Sequence, residues 1–300
     1  MVKSEQRPML RFLIVQTAAS VVGLQCWLIL FNNFAVEIAG LNGLQVGIVG
    51  SVREIPGLLA LLAIFVMLVI REHRLSALSI VFLGVGIGLT GLFPSFTGLV
   101  ITTLIMSFGF HYYETTNQSL TLQYFDTATS PLIFGRLRSL AAATSIVAGL
   151  LLFLMGLVFS YRVMFLSVGL LILAAGVWGL LQDPTHQGVT PQHRKMIFRR
   201  KYALYYFLTF MAGARRQIFM AFSVYLLVTV FKCTVTEITL LFVVNNAVNF
   251  VLSPAIGRAI VRFGERRVLS LEYGGLIAIF LVYAYSDMKW VIVAMYILDH

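Results

Sequence analysis

His111 and Glu114 stand one helical turn apart, and Thr115 and Gln118 extend the same set of positions. Offsets of i, i+3, i+4 and i+7 place all four on one face of a helix. An imidazole beside a carboxylate can hold and pass a proton, because burial and the neighbour's charge move either group toward neutrality. A second pair, Arg53-Glu54, is followed at once by Pro56-Gly57, which bends or loosens a helix. Arg215 and Arg216 are a third constellation. One of them paired with an acid would leave the other to meet an anion through two parallel hydrogen bonds. Asp299 is a further acid, and Gln25, Asn32, Asn33, Asn245, Asn246 and Asn249 are milder polar groups. Each reading has a plainer counterpart: a static interhelical network for His111 and Glu114, a structural bridge for Arg53 and Glu54, and structural ion pairs for both arginines.

All of these residues lie inside apolar stretches. Hydrophobic residues make up 59% of the chain and charged residues 11%, whereas a soluble domain carries about 25% charged residues. Crossing the hydrocarbon takes about 20 mostly apolar residues. That ruler gives an all-α, polytopic bundle of nine full spans plus a tenth cut short, near 12–35, 45–70, 75–93, 98–122, 138–160, 163–182, 203–230, 237–256, 268–286 and 289–300. The stretch from Leu75 to Tyr113 has no Asp, Glu, Lys or Arg, and Pro94-Ser95 marks the turn that divides it. The uncharged run from Phe12 to Val36 exceeds the roughly 7–15 residues of a signal peptide's apolar region, so the first span is read as retained.

The basic residues set the orientation. With the N-terminus in the cytoplasm, sixteen Lys and Arg fall in cytoplasmic segments, and only Arg162, Lys232 and Lys289 fall in the opposite loops. This bias accounts for the net charge of +10 without a nucleic-acid partner. The segment Gln182 to Lys201 is the longest polar stretch and is basic, with Pro184, Gly188 and Pro191. It divides the chain into a six-helix bundle (1–182), a cytoplasmic linker (183–202) that could lie partly on the anionic inner leaflet, and an incomplete second bundle (203–300). Cys26 and Cys233 sit far apart in apolar surroundings and read as small filler.

A charge inside a membrane costs on the order of 3 kcal/mol, so it faces a partner or water. At 1.5 Å per residue, Arg53 lies roughly 12 Å below the outer edge, Arg215 and Arg216 about 18 Å from the cytoplasmic end, and Asp299 roughly 15 Å deep. Arg53 and Glu54 point about 100° apart and are expected to need separate partners. Polarity gathers in spans 1, 2, 4, 7, 8 and 10, as a central aqueous cavity requires. Spans 3 and 6 read as lipid-facing supports whose glycines (Gly84, Gly88, Gly176, Gly179) suit close packing.

After the eighth span the chain reads SPAIGRAIVRFGERR. This resembles the G-x-x-x-[DE]-R-x-G-R-R loop of the major facilitator superfamily, with Gly257, Arg262, Gly264 and Arg266 matching and Arg267 adding a charge. Val261 takes the family's acidic position and Glu265 that of the first arginine of the closing pair. The matching first-half loop keeps Arg71 and Arg74, and the fifth span has Gly149 and Gly156 but no Gly-Pro pair of the antiporter type. The resemblance implies twelve helices, so the 300 residues are expected to be a fragment or a truncated product. It also implies that helices 1, 4, 7 and 10 line the substrate cavity, which brings Gln25, His111, Glu114, Arg215, Arg216 and Asp299 around it and puts Arg53 and Glu54 at an interface.

The expectation is therefore a secondary transporter in the plasma (inner) membrane, working by alternating access. It would be coupled to protons through Glu114 with His111 and would carry a small polar solute, anionic or zwitterionic. Its pathway would run past Gln25, Arg53, Glu54, His111, Glu114, Gln118, Arg215, Arg216, Asn245 and Asp299. Efflux of lipophilic compounds through an aromatic pocket, or a sensor that moves nothing, are the rivals. No metal-ligand cluster, nucleophile elbow or phosphate loop points to an enzyme, a cofactor or a metal; the partners implied are the solute, protons and the lipid bilayer.

Overall fold

In a computed structural model of the chain, the described residues are 3–186, 199–211, 213, 227, 231 and 235–299. The chain divides into two compact units, Met1–Arg194 and Lys195–His300. The first holds α1 (Arg7–Asn33), α2 (Gly43–Leu58), α3 (Glu72–Thr90), α4 (Phe96–Tyr124), α5 (Ser130–Gly156) and α6 (Tyr161–Leu181). In the second, α7 is described over residues 203–211. It is followed by α8 (Val235–Phe263), α9 (Glu265–Tyr285) and α10 (Lys289–Asp299). Among the described residues there is no strand, and seven helical stretches are long and apolar enough to cross a membrane.

Local chemistry explains the breaks between helices. Pro8 sits in the first turn of α1, where its missing N–H costs nothing. Beyond α1 one wide turn, Phe34–Ile38, leads to Gly40, whose φ of 65° turns the chain where a side chain would be strained. Asn42 then caps α2 reciprocally: its side chain accepts from the Gln45 N–H, and the Gln45 side chain accepts from the Asn42 N–H, both at 3.0 Å. Pro56 lacks a donor and crowds the preceding turn. The α-helix accordingly gives way after Leu58 to a 3-10 turn, Leu59–Leu62, before resuming over Ala63–Val66. The expected bend at Pro56-Gly57 takes this form.

The third helix is the strut of the first unit. It packs along α4 and α6 and also touches α1, and it is the most buried of the seven membrane-length stretches. Glycines make these approaches possible. A Cβ on Gly84 would lie 2.6 Å from the Leu173 nitrogen, and one on Gly169 would lie 2.5 Å from the Gly88 Cα. On the side facing α4, a Cβ on Gly86 would reach 2.4 Å from the Met106 nitrogen, and one on Gly109 2.4 Å from the Leu83 nitrogen. Small residues that let backbones meet are the means by which helices associate in lipid. The lipid-facing role expected of the third span is thus corrected. Absence of charge suits a packing core as well as a lipid surface, and glycines on two faces decide for the core.

Phe12, Leu13, Phe31, Phe34, Leu83 and Phe165 fill the spaces between these helices. In the second unit, α8, α9 and α10 pack on one another, and Leu227, Leu241, Ile292 and Tyr296 form a small buried cluster.

Candidate functional site

The break in α2 faces the polar stripe of α4. Ser107 Oγ donates to the Arg53 carbonyl. One turn on, the His111 ring lies against Gly57, close enough that a Cβ there would stand 3.0 Å from Cε1 and 3.2 Å from Nε2. Next to it the Tyr112 hydroxyl donates to the Leu59 carbonyl at 3.3 Å. Ser107, His111 and Tyr112 of α4 thus meet the chain between Arg53 and Leu59, on either side of Pro56.

Four ionisable side chains gather at this junction. Arg53 donates from Nε and from Nη2 to a single oxygen, Glu54 Oε1, at 3.0 and 2.5 Å. Its guanidinium carbon lies 4.9 Å from the centre of the Trp27 ring of α1, a cation–π distance. Trp27 is held in turn by stacking on Phe31, centroid to centroid 4.3 Å. His111 Nδ1 is 3.9 Å from Glu114 Oε2, and the imidazole is also within electrostatic reach of Glu54 and Arg53. Arg53 is 27% exposed, Glu54 45% and Glu114 47%, so the cluster is anchored at the arginine and open at both carboxylates. The separate partners expected for Arg53 and Glu54 are corrected: both side chains are long enough to fold toward each other across the 100° between them.

Other candidate residues lie elsewhere. Gln25 donates to Ser145 Oγ of α5 at 3.2 Å, tying α1 to α5. Thr115 returns its hydroxyl to the His111 carbonyl at 3.0 Å, and Gln118 is exposed one turn further along. Asn245 is fully buried in α8, its carbonyl accepting from Asn249 Nδ2 at 3.1 Å. Asp299 lies within electrostatic reach of Tyr283 and Tyr296. Arg215 and Arg216 lie outside the described residues. In the loop after α8, Gly264 takes φ 84°, a region that favours glycine. Gly257 is buried, Arg262 lies 5.3 Å from the Phe263 ring centre, and Arg266 and Arg267 are exposed.

Sequence reasoning missed Ser107, Gly57 and Trp27. Ser107 sits four residues before His111, so carrying the polar stripe back one turn finds it. In sequence Gly57 reads only as a helix loosener, and nothing in an apolar helix marks one tryptophan as the seat of an arginine.

The sequence profile of the Major Facilitator Superfamily matches residues 13–299. The chain belongs to this family of membrane transporters. Among solved structures, that of the E. coli fucose:proton symporter matches with a TM-score of 0.69 at 12% identity, covering 99% of this chain and 82% of that one. At that identity the likeness concerns the fold. No curated protein matches the chain. Family and fold together make it an integral, multi-pass membrane protein of the secondary-transporter class.

Proposed function

We propose that the chain carries a small polar solute, anionic or zwitterionic, across the plasma (inner) membrane in company with protons. In this reading the N-terminus is cytoplasmic and the basic segment 183–202 joins a first six-helix bundle to a second. The observation that carries it is the meeting of Arg53, Glu54, His111 and Glu114 near the middle of two membrane-length helices. Four such groups are costly at that depth unless they bind or move charge. Glu114, half exposed and 3.9 Å from His111, is the proton carrier we assign, and His111 its partner. The similar fold of the fucose:proton symporter supports a proton-driven cycle.

The test is solute-driven acidification or alkalinisation in proteoliposomes loaded with a pH dye, run with pools of carboxylates, amino acids, sugars and lipophilic drugs. Wild-type protein should show flux with one of the polar pools, and Glu114→Gln should abolish the proton component. Flux with an unchanged pH dependence in Glu114→Gln refutes the assignment, and flux with the drug pool alone favours efflux of lipophilic compounds.

A further inference from the structure

The hydrogen bonds of Arg53 are lopsided. Nε and Nη2 both end on one oxygen of Glu54, so among the described residues the rest of the guanidinium has no paired acceptor. Its face is covered by Trp27, which is 6% exposed and whose own indole N–H meets no acceptor among the described residues. A rigid fork with donors to spare stands next to a buried donor that lacks a partner, which is the chemistry of a receptor for an oxyanion. The Glu54 carboxylate occupies part of that receptor and is itself 45% exposed, free to swing away.

We propose, resting on the transport reading above, that Arg53 is the receptor for a substrate carboxylate and that Glu54 is its exchangeable stand-in, so that binding one carboxylate obliges uptake of one proton. The balance is simple. Before binding, Arg53 is paired with ionised Glu54. The incoming carboxylate takes over the guanidinium donors, and the displaced Glu54 loses its counter-charge in a partly buried site. A proton from solvent then neutralises Glu54, so one anion and one proton enter together and the net charge of the site is unchanged. Among the described residues the charged and titratable groups around Glu54 are Arg53 on its own helix and His111 on α4, with Glu114 beside His111. From α1, Trp27 covers the Arg53 guanidinium and does not titrate at these pH values. Glu54 thereby takes up the proton when the anion binds, and Glu114, beside His111, carries it onward, so the two acids act in series.

The experiment measures binding and proton uptake together, on purified full-length protein in weakly buffered detergent solution near pH 6. The probes are lactate, succinate, glutamate and gluconate, with L-fucose as the uncharged comparison. Wild type should bind at least one carboxylate with uptake of about one proton. Glu54→Gln should bind the same carboxylate with almost no proton uptake and lose the pH dependence of affinity. Arg53→Gln should weaken binding about 10- to 100-fold, the range for losing hydrogen bonds to a charged group, while an unchanged gel-filtration profile shows that it folds. Trp27→Phe, which keeps a ring for the cation–π contact but removes the N–H, should weaken binding less than Trp27→Leu. Failure of every carboxylate to bind, undiminished proton uptake in Glu54→Gln, or full affinity in Arg53→Gln would each overturn the inference. Flux of L-fucose alone would overturn it together with the anionic or zwitterionic solute, and leave proton-coupled transport standing. Carboxylate binding with no flux in vesicles would do the reverse.

Discussion

A single glycine decides how the charged junction is held together. His111 rests on Gly57, and any side chain there must push the imidazole by a few tenths of an ångström. Gly57→Ala is expected to leave the protein folded and to shift the pH midpoint of transport, because it moves His111 relative to Glu54 and Glu114. Gly57→Val should reduce transport further. Measuring the pH profile rather than the rate alone separates displacement of His111 from general damage. Part of this was legible in the residues themselves. Spacing alone put His111 and Glu114 on one face, and the cost of intramembrane charge made Arg53 and Glu54 conspicuous. Their union in one cluster was not legible, since it depends on which faces of α2 and α4 meet, and periodicity within one helix does not report its neighbour.

At the scale of elements, the helix-packing glycines fall into two kinds. Gly84 and Gly86 of α3 and Gly109 of α4 have backbone where a Cβ would go, whereas Gly149 of α5 has only Ile29 Cδ1 at 3.9 Å. Gly109→Ala should destabilise the protein by about 1–3 kcal/mol, because two helix backbones would have to separate. Gly149→Ala should stabilise it by about 0.5–1 kcal/mol, since alanine fits there and restricts the unfolded chain. Thermal unfolding in detergent checks both, and equal effects would contradict the packing described. The helices themselves were readable, from apolar length and from markers such as Pro94-Ser95, to within several residues. The burial of α3 was not, because a stretch without charges looks alike in lipid and in a packed core.

For the whole molecule, two expectations concern ends and connections. In the orientation set by the basic residues, Ser4→Cys in a Cys26→Ser, Cys233→Ser background should react with an impermeant maleimide only after the membrane is opened; labelling of intact cells would reverse the orientation. Where α6 ends, the Thr185 hydroxyl and backbone N–H hold the Asp183 carboxyl below its usual range, with His73 and Arg71 adding to the effect. Arg71 Nη1 lies 4.0 Å from the Asp183 carboxylate. A lowered carboxyl value contributes stability that is complete above the ordinary value of 3.8 and is lost as pH falls through the lower folded value. Hydrogen exchange around residue 183 should therefore increase only in strong acid, and Asp183→Asn should show the faster exchange already at neutral pH.

The glycine seam also bears on how the protein is made. Gly84 and Gly88 have their closest partner in Gly169 and the residues around it, on a helix synthesised some 85 positions later. At roughly 5–20 residues per second, α3 waits about 4–17 s for that partner. During this interval one of its glycine faces has only lipid or the insertion machinery against it. The first unit thus closes last along its own central axis, and a ribosome stalled before α6 would leave a chain whose helices are all inserted but whose strut is loose, the form on which quality-control proteases act.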